Sequence, residues 1–395
     1  MINAPDFYRI RRLPPYVFAE VNAMKAAARA RGEDIVDLGM GNPDGAPPAH
    51  VIDKLAEVAR DPRAHRYSAS KGIAGLRKAQ AGYYARRFGV ELDPDREVIV
   101  TLGSKEGLAN LAQAITAPGD VVLAPNPSYP IHTFGFIIAG AAIRSIPAAP
   151  GPGFFDILDR AVRYTVPQPK VLVIGYPSNP TAYTADLAFY EKVVAFAREH
   201  GLWVISDLAY AEIYFGEAPT PSILQVPGAK EVAVEFTSMS KTYSMAGWRI
   251  GFAVGNAALI GALARVKSYL DYGAFTPVQA AAVAALNGPQ DVVDANRRLY
   301  KARRDCLVDC FGRAGWEIPP PQASMFAWAP IPAPFRALGS MEFAKRLLAE
   351  AGVAVAPGVG FGEEGEGYVR IALVENEQRL RQASRGVKAF LAKGP

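Results

Sequence analysis

One lysine in this chain of 395 residues stands between a serine three positions before it and an arginine eight positions after it, in Ser238-Met239-Ser240-Lys241-Thr242-Tyr243-Ser244-Met245-Ala246-Gly247-Trp248-Arg249. An amine condenses with an aldehyde to give a Schiff base. A hydroxyl and a guanidinium can hold a phosphate. The segment is therefore equipped for a phosphorylated aldehyde. The apolar run at 232–236 reads as a strand, which puts Lys241 in a loop at a strand end, where open α/β sheets place their ligands. Ser-x-x-Lys is also the arrangement of serine acyltransferases and β-lactamases, in which Ser238 would be the nucleophile. A short motif does not choose between the two.

Other residues extend the first reading. Gly103-Ser104-Lys105-Glu106-Gly107 follows an apolar strand at 98–101 and opens a helix. Free N–H groups and the helix dipole suit such a turn to a phosphate; the plain alternative is an ordinary helix start capped by Ser104. Asp207 ends the apolar strand at 202–206. A carboxylate there can keep the ring nitrogen of pyridoxal phosphate protonated, so that the ring accepts electrons from a Cα carbanion, or it can cap a helical turn over 208–214. Tyr210, and Asn179 in Pro177-Ser178-Asn179-Pro180, can reach the phenolic oxygen of the same ring; Asn179 can equally be no more than a turn residue. Tyr129 can stack on a flat ring. Arg370 lies between Val369 and Ile371, where an unpaired charge would be costly. A substrate carboxylate or an internal salt bridge would satisfy it.

These residues need a scaffold that brings strand ends together. Strands are predicted at 35–38, 98–101, 121–123, 171–174, 202–206, 325–328, 353–355 and 368–371, and helices at 16–31, 104–116, 129–139, 187–200, 291–315, 340–351 and 377–391. From about 46 to 288 the strands are continuous apolar runs alternating with helices, as strands buried on both faces require. The expected fold is α/β: a mainly parallel central sheet with helices on both faces, plus a smaller α+β domain. The expected division is an arm and part of the small domain at 1–45, a large domain at 46–288 and the rest of the small domain at 289–395.

Composition narrows the function. Hydrophobic residues make up 50% and charged residues 21%, with a net charge of +5. The basic residues are scattered and form no aromatic-interleaved stripe, so nothing points to nucleic acid. Cys306 and Cys310 are spaced i, i+4 on an expected helix. That spacing holds Cβ atoms about 5–6 Å apart, wider than the roughly 3.5–4.5 Å of a disulfide, so both are expected reduced. His50, His65, His132 and His200 share no metal-ligand spacing. No apolar run approaches the ~20 residues of a membrane helix, and the N-terminal residues lack a secretory apolar core. A cytoplasmic protein with no membrane or metal partner is the expectation.

Taken together and in this order, the residues resemble the fold-type I pyridoxal-phosphate aminotransferases of class I/II, over roughly residues 7–393. The resemblance implies pyridoxal 5'-phosphate as cofactor, with Lys241 tethering it. It implies Ser238, Arg249 and the Gly103-Ser104-Lys105 turn at the phosphate, Asp207 at the ring nitrogen, Tyr210 and Asn179 at the phenolic oxygen, and Tyr129 on the ring. Arg370, Gly41, Asn179 and Tyr16 are then the substrate-side residues. A homodimer is implied in which Tyr67 reaches the neighbouring subunit's phosphate. Three strings, Leu13-Pro14-Pro15-Tyr16-Val17-Phe18, Gly39-Met40-Gly41-Asn42-Pro43-Asp44-Gly45 and Lys267-Ser268-Tyr269-Leu270-Asp271-Tyr272-Gly273-Ala274-Phe275-Thr276-Pro277, are similar to bacterial glutamate–pyruvate (alanine) aminotransferases. The first is shared with some LL-diaminopimelate aminotransferases. Aspartate and methionine aminotransferases stay open as alternatives.

Overall fold

The computed structural model describes residues 7–14 and 17–395. Twelve strands occur among them: β1 (Val36–Asp37), β2 (Val98–Thr101), β3 (Val121–Asn126), β4 (Ala142–Pro147), β5 (Val171–Ile174), β6 (Trp203–Asp207), β7 (Ala233–Ser238), β8 (Gly251–Gly255), β9 (Phe326–Pro330), β10 (Val353–Ala354), β11 (Ala356–Pro357) and β12 (Tyr368–Ala372). Seven form one sheet in the order β2-β8-β7-β6-β5-β3-β4. Consecutive residues of its buried strands feed opposite faces. Val98, Val100, Leu172 and Ile174 join the core on one side, and Ile99, Val171, Val173 and Ile205 join the core on the other. A strand that must be apolar on both faces reads as an unbroken apolar run. Strand β4, which the sequence does not betray, lies at the sheet edge and carries Arg144 and Ser145.

The pairing is parallel from β4 through β7. The exception is β8, antiparallel to both β7 and β2. The loop carrying Lys241 turns straight back into β8 with only the short helices Met239–Thr242 and Ala246–Trp248 on the way, so no crossover helix restores the strand direction. This reversal aligns functional ends. Gly251 pairs with Thr101 on one side and with Ser238 on the other. Asp207 pairs with Phe236 one strand further in. The end of β2, the Lys241 loop and Asp207 therefore share one edge of the sheet.

A second core gathers Val36, Leu38, Phe326, Phe343, Ile371 and Phe390. Its sheet has the order β11-β12-β9 and is antiparallel, while β1 pairs in parallel with β10. The strand expected at 353–355 is two short strands in different sheets, because the chain changes partner at Val355: Val353 pairs with Val36, and Ala356 pairs with Arg370. Helix Asp291–Arg313 supports this core. From it, buried Arg303 reaches Asp44 with two hydrogen bonds of 2.7 Å and the carbonyl of Leu373 at 3.2 Å, clasping the loop after β1. The helix expected from 129 begins at Ile131. Cys306 and Cys310 are free. Among the described residues no helix is long and apolar enough to cross a membrane.

Glu235 of β7 is fully buried and accepts hydrogen bonds from Tyr84 at 2.8 Å and Ser206 at 3.0 Å, and from Ser222. Burial pushes its carboxyl from the ordinary 4.5 up to about 7, against these hydrogen bonds, which favour the charged form. Between those values the folded chain keeps a proton that the unfolded chain has released. Its contribution to stability is therefore present at low pH and lost as pH rises through about 7. The melting temperature of the wild type should fall relative to that of Glu235→Gln as pH is raised from about 5 to about 8, by an amount equivalent to ~3 kcal/mol. Parallel thermal-denaturation curves across that range would show that Glu235 does not carry this linkage.

Candidate active site

A cavity of about 280 Å³ opens at the shared sheet edge and is closed from above by residues of the second core and the 39–41 loop. Every candidate read from the sequence lines it except Tyr67 and Tyr16. Tyr16 lies outside the described residues. Tyr67 is 86% exposed and packs on Tyr272, ring centres 4.6 Å apart, away from the cavity of its own chain.

Lys241 sits on helix Met239–Thr242, capped by Ser238, whose hydroxyl accepts the N–H of Ser240 at 3.1 Å. The lysine Nζ donates to the carbonyl of Gly41 at 2.8 Å. Burial, with the positive charges of Arg370 and Arg249 adding to it, pulls its pKa down to about 8. An amine tuned this way has a substantial neutral, nucleophilic fraction near neutral pH. Gly41 is held close against Phe326, and a Cβ there would collide with that ring.

Arg249 adopts the left-handed conformation, φ 57°, and donates to the carbonyls of Ala246 at 2.8 Å and Leu102 at 3.3 Å. Its guanidinium lies over Gly103, itself at φ 84°, and a Cβ at Gly103 would occupy the guanidinium's place. Gly103 caps helix Ser104–Ile115. The ordinary capping role considered for Ser104 does not hold: Ser104 is the first helical residue, and its hydroxyl donates to the carbonyl of Thr237 at 3.0 Å. Lys105 follows with its Nζ 5.9 Å from the centre of the Tyr129 ring. An arginine, a helix start and a glycine that leaves room between them make an anion cradle.

Asp207 caps no helix, since residues 209–212 form a turn. One of its oxygens accepts the N–H of Ala209 at 3.1 Å; the other is 2.8 Å from Nε2 of His132. His132 was not among the sequence candidates. It lies far from Asp207 in sequence, and only the folding of β3 and β6 into one sheet brings it near. Its other ring nitrogen is buried with no hydrogen-bond partner among the described residues. Tyr129 meets the His132 ring edge-on at 6.0 Å. Gly175 makes space beside the pair, for a Cβ there would stand 3.1 Å from His132 and 3.3 Å from the Asp207 side chain.

Asn179 joins the two halves of the cavity. Its amide nitrogen is 3.5 Å from the hydroxyl of Tyr210, and its oxygen accepts Nη1 of Arg370 at 2.8 Å. Nη2 of Arg370 reaches the carbonyl of Gly39 at 2.9 Å. The guanidinium carbon lies 4.1 Å from the ring centre of Phe326 and 4.6 Å from that of Phe361, both of which strengthen its hold on the cation. Burial raises the Tyr210 hydroxyl pKa far above its usual value, so this group stays a hydrogen-bond donor. Lys25, also unforeseen, lines the outer wall and is held by Asp37 at 3.1 Å.

The chain belongs to the aminotransferase class I and II family, whose profile matches residues 33–385. It is 65% identical to a putative aminotransferase AatC of Rhizobium meliloti (strain 1021), over 98% of this chain and 96% of that one. It is 56% identical to the glutamate-pyruvate aminotransferase AlaC of Escherichia coli (strain K12), over 97% and 93%. An LL-diaminopimelate aminotransferase of Moorella thermoacetica is 46% identical over 98% of both chains. Among solved structures, substrate-bound BacF from Bacillus subtillis superposes with a TM-score of 0.93 at 34% identity, over 99% of this chain and 98% of that one. The protein is an aminotransferase of the pyridoxal-phosphate-dependent class, and the serine acyltransferase reading of Ser238 is set aside. The cavity fits the cofactor: Gly103 leaves an opening under Arg249 at a helix start, Gly175 leaves one beside Asp207 and His132, and the Lys241 amine projects between them.

Gly103→Ala should push the Arg249 guanidinium aside and strain a left-handed backbone position. Titration of the apoprotein with pyridoxal phosphate, followed by absorbance, is expected to show affinity weakened about 10-fold or more. Wild-type affinity in this variant would place the anion elsewhere.

Proposed function

We propose that the protein transfers an amino group between L-alanine and 2-oxoglutarate, giving pyruvate and L-glutamate. The observation that carries the reading is the buried amine of Lys241, lowered to a pKa of about 8, inside one cavity with Asp207, Arg249 and Arg370. When bound, pyridoxal phosphate supplies an electron sink for the pair left on the substrate Cα. Arg249, Ser238 and the Gly103-Ser104-Lys105 turn would hold the phosphate. Asp207, steadied by His132, would keep the ring nitrogen protonated. Tyr210 and Asn179 would donate to the phenolic oxygen, and Tyr129 would pack against the ring. Arg370, fixed by Asn179 and Gly39, grips the substrate carboxylate and orients the Cα–H bond. Lys241 Nζ is placed to take the proton from the substrate Cα as general base and to return it as general acid. Gly41, whose carbonyl meets that amine, marks the substrate side.

The choice of alanine is supported by the similarity to the glutamate-pyruvate enzyme. With pyruvate or 2-oxoglutarate as acceptor, alanine and glutamate should be the best donors in a panel that includes LL-diaminopimelate, aspartate and methionine, with ping-pong kinetics. A clear preference for LL-diaminopimelate would replace the substrate assignment while keeping the mechanism. Lys241→Ala should lose essentially all turnover.

The same reading includes a homodimer, and a small domain of residues 1–45 and 289–395 that closes on 46–288. Tyr67, Tyr269, Tyr272 and Phe275 are exposed, and the segments bearing them are joined by the Ser70 hydroxyl on the Asp271 carbonyl at 2.5 Å. Such a patch of aromatics needs cover, and a second copy would supply it, with Tyr67 reaching the neighbour's phosphate. Co-folding Lys241→Ala with Tyr67→Ala should restore activity that neither variant shows alone, because one site of the hybrid keeps both residues. Absence of complementation in a verified hybrid argues that each site is built from one chain.

A further inference from the structure

Lys267 has no part in the chemistry derived above, yet it is fully buried on helix Ala257–Leu270 and binds two carboxylates, Glu106 at 2.9 Å and Asp271 at 2.8 Å. A fully buried ammonium held by two half-buried carboxylates is a poor device for stability alone. Their position suggests another use. Glu106 stands in the first turn of helix Ser104–Ile115, at the end that lines the cavity. Its second oxygen accepts the N–H of Leu102 at 2.8 Å, while the carbonyl of Leu102 accepts Arg249 at 3.3 Å. The residue before Gly103 is thus gripped on one side by Glu106 and on the other by Arg249. A carboxylate in the first turn is drawn to the same positive helix end that serves a phosphate, and left uncompensated it would repel one. Lys267 cancels that charge from behind and fixes the carboxylate that shapes the turn. Asp271, at the end of the Lys267 helix, anchors the lysine and also accepts the N–H of Gly273 at 2.7 Å.

We propose that Lys267 is a positioning residue for the cofactor phosphate, acting through Glu106 to set the shape and the charge of the Leu102–Ser104 turn. This rests on the phosphate seat beside Arg249 given above. The test compares apoprotein affinity for pyridoxal 5'-phosphate with that for pyridoxal, which lacks the phosphate; the ratio isolates the seat from the rest of the cavity. Lys267→Met should lower the ratio about tenfold with pyridoxal affinity unchanged. Glu106→Gln keeps an oxygen for Leu102 and leaves Lys267 paired with Asp271, so the ratio should rise several-fold. The double variant Lys267→Met/Glu106→Gln should return to within about threefold of the wild-type ratio, because both charges are gone. Arg249→Gln reports on the seat itself: an unchanged ratio there means the phosphate lies elsewhere, and both readings fall. A lowered ratio in Arg249→Gln, with wild-type ratios in Lys267→Met and Glu106→Gln, overturns the role of Lys267 alone. If Lys267→Met does not fold, Glu106→Gln decides by itself, since an unchanged or lowered ratio contradicts the proposal.

Discussion

A cavity proposed to bind a phosphate at one end and a carboxylate at the other must be rich in positive charge, and the same cavity must keep one amine partly uncharged. This electrostatic conflict governs the site. Arg249 and Arg370 supply the cations, and their repulsion, added to burial, lowers the Lys241 pKa to about 8. On the proposed reading, the groups that bind also tune the group that reacts. The arrangement is stable because each guanidinium has backbone carbonyls to donate to: Ala246 and Leu102 for Arg249, Gly39 for Arg370. The amine has the carbonyl of Gly41. Neutral acceptors satisfy the hydrogen bonds without adding negative charge that would raise the amine's pKa again.

The scaffold meets this requirement through strand direction. Because β8 runs against its neighbours, the Lys241 loop is short and returns Arg249 to within hydrogen-bonding reach of Leu102 at the end of β2. A crossover helix in its place would have carried the arginine away from the edge. The second core contributes from the other side: β12 offers Arg370 and β9 offers Phe326, whose ring both backs the guanidinium and limits what can stand at position 41.

Much of this was legible in the sequence because the chemistry sits at strand ends. An apolar run that stops at Asp207, or that leads to a serine and a lysine, announces itself locally. The fold class followed from runs buried on both faces. What was hidden depended on neighbours distant in the chain. His132 gives no sign of its role until β3 and β6 lie in one sheet with Asp207. Lys25 and Lys267 look like ordinary helix lysines, and only their burial against Asp37, Glu106 and Asp271 marks them out. Edge strand β4 carries polar residues and so lacks the apolar signature. The split of the expected 353–355 strand reflects two competing partners, β1 and β12, which no local pattern encodes.

The pairing of β1 with β10 joins Val36 to Val353, residues far apart along the chain. A ribosome releases β1 long before β10. All seven strands of the large sheet, from β2 to β8, emerge before Val36 can find Val353. The segment bearing Val21, Ala28 and Ile35 must therefore wait, its apolar side uncovered, until Leu348 and Ala354 have emerged. Termination between β8 and β10 would leave a completed large sheet bearing that orphaned segment, a form suited to capture by chaperones and proteases.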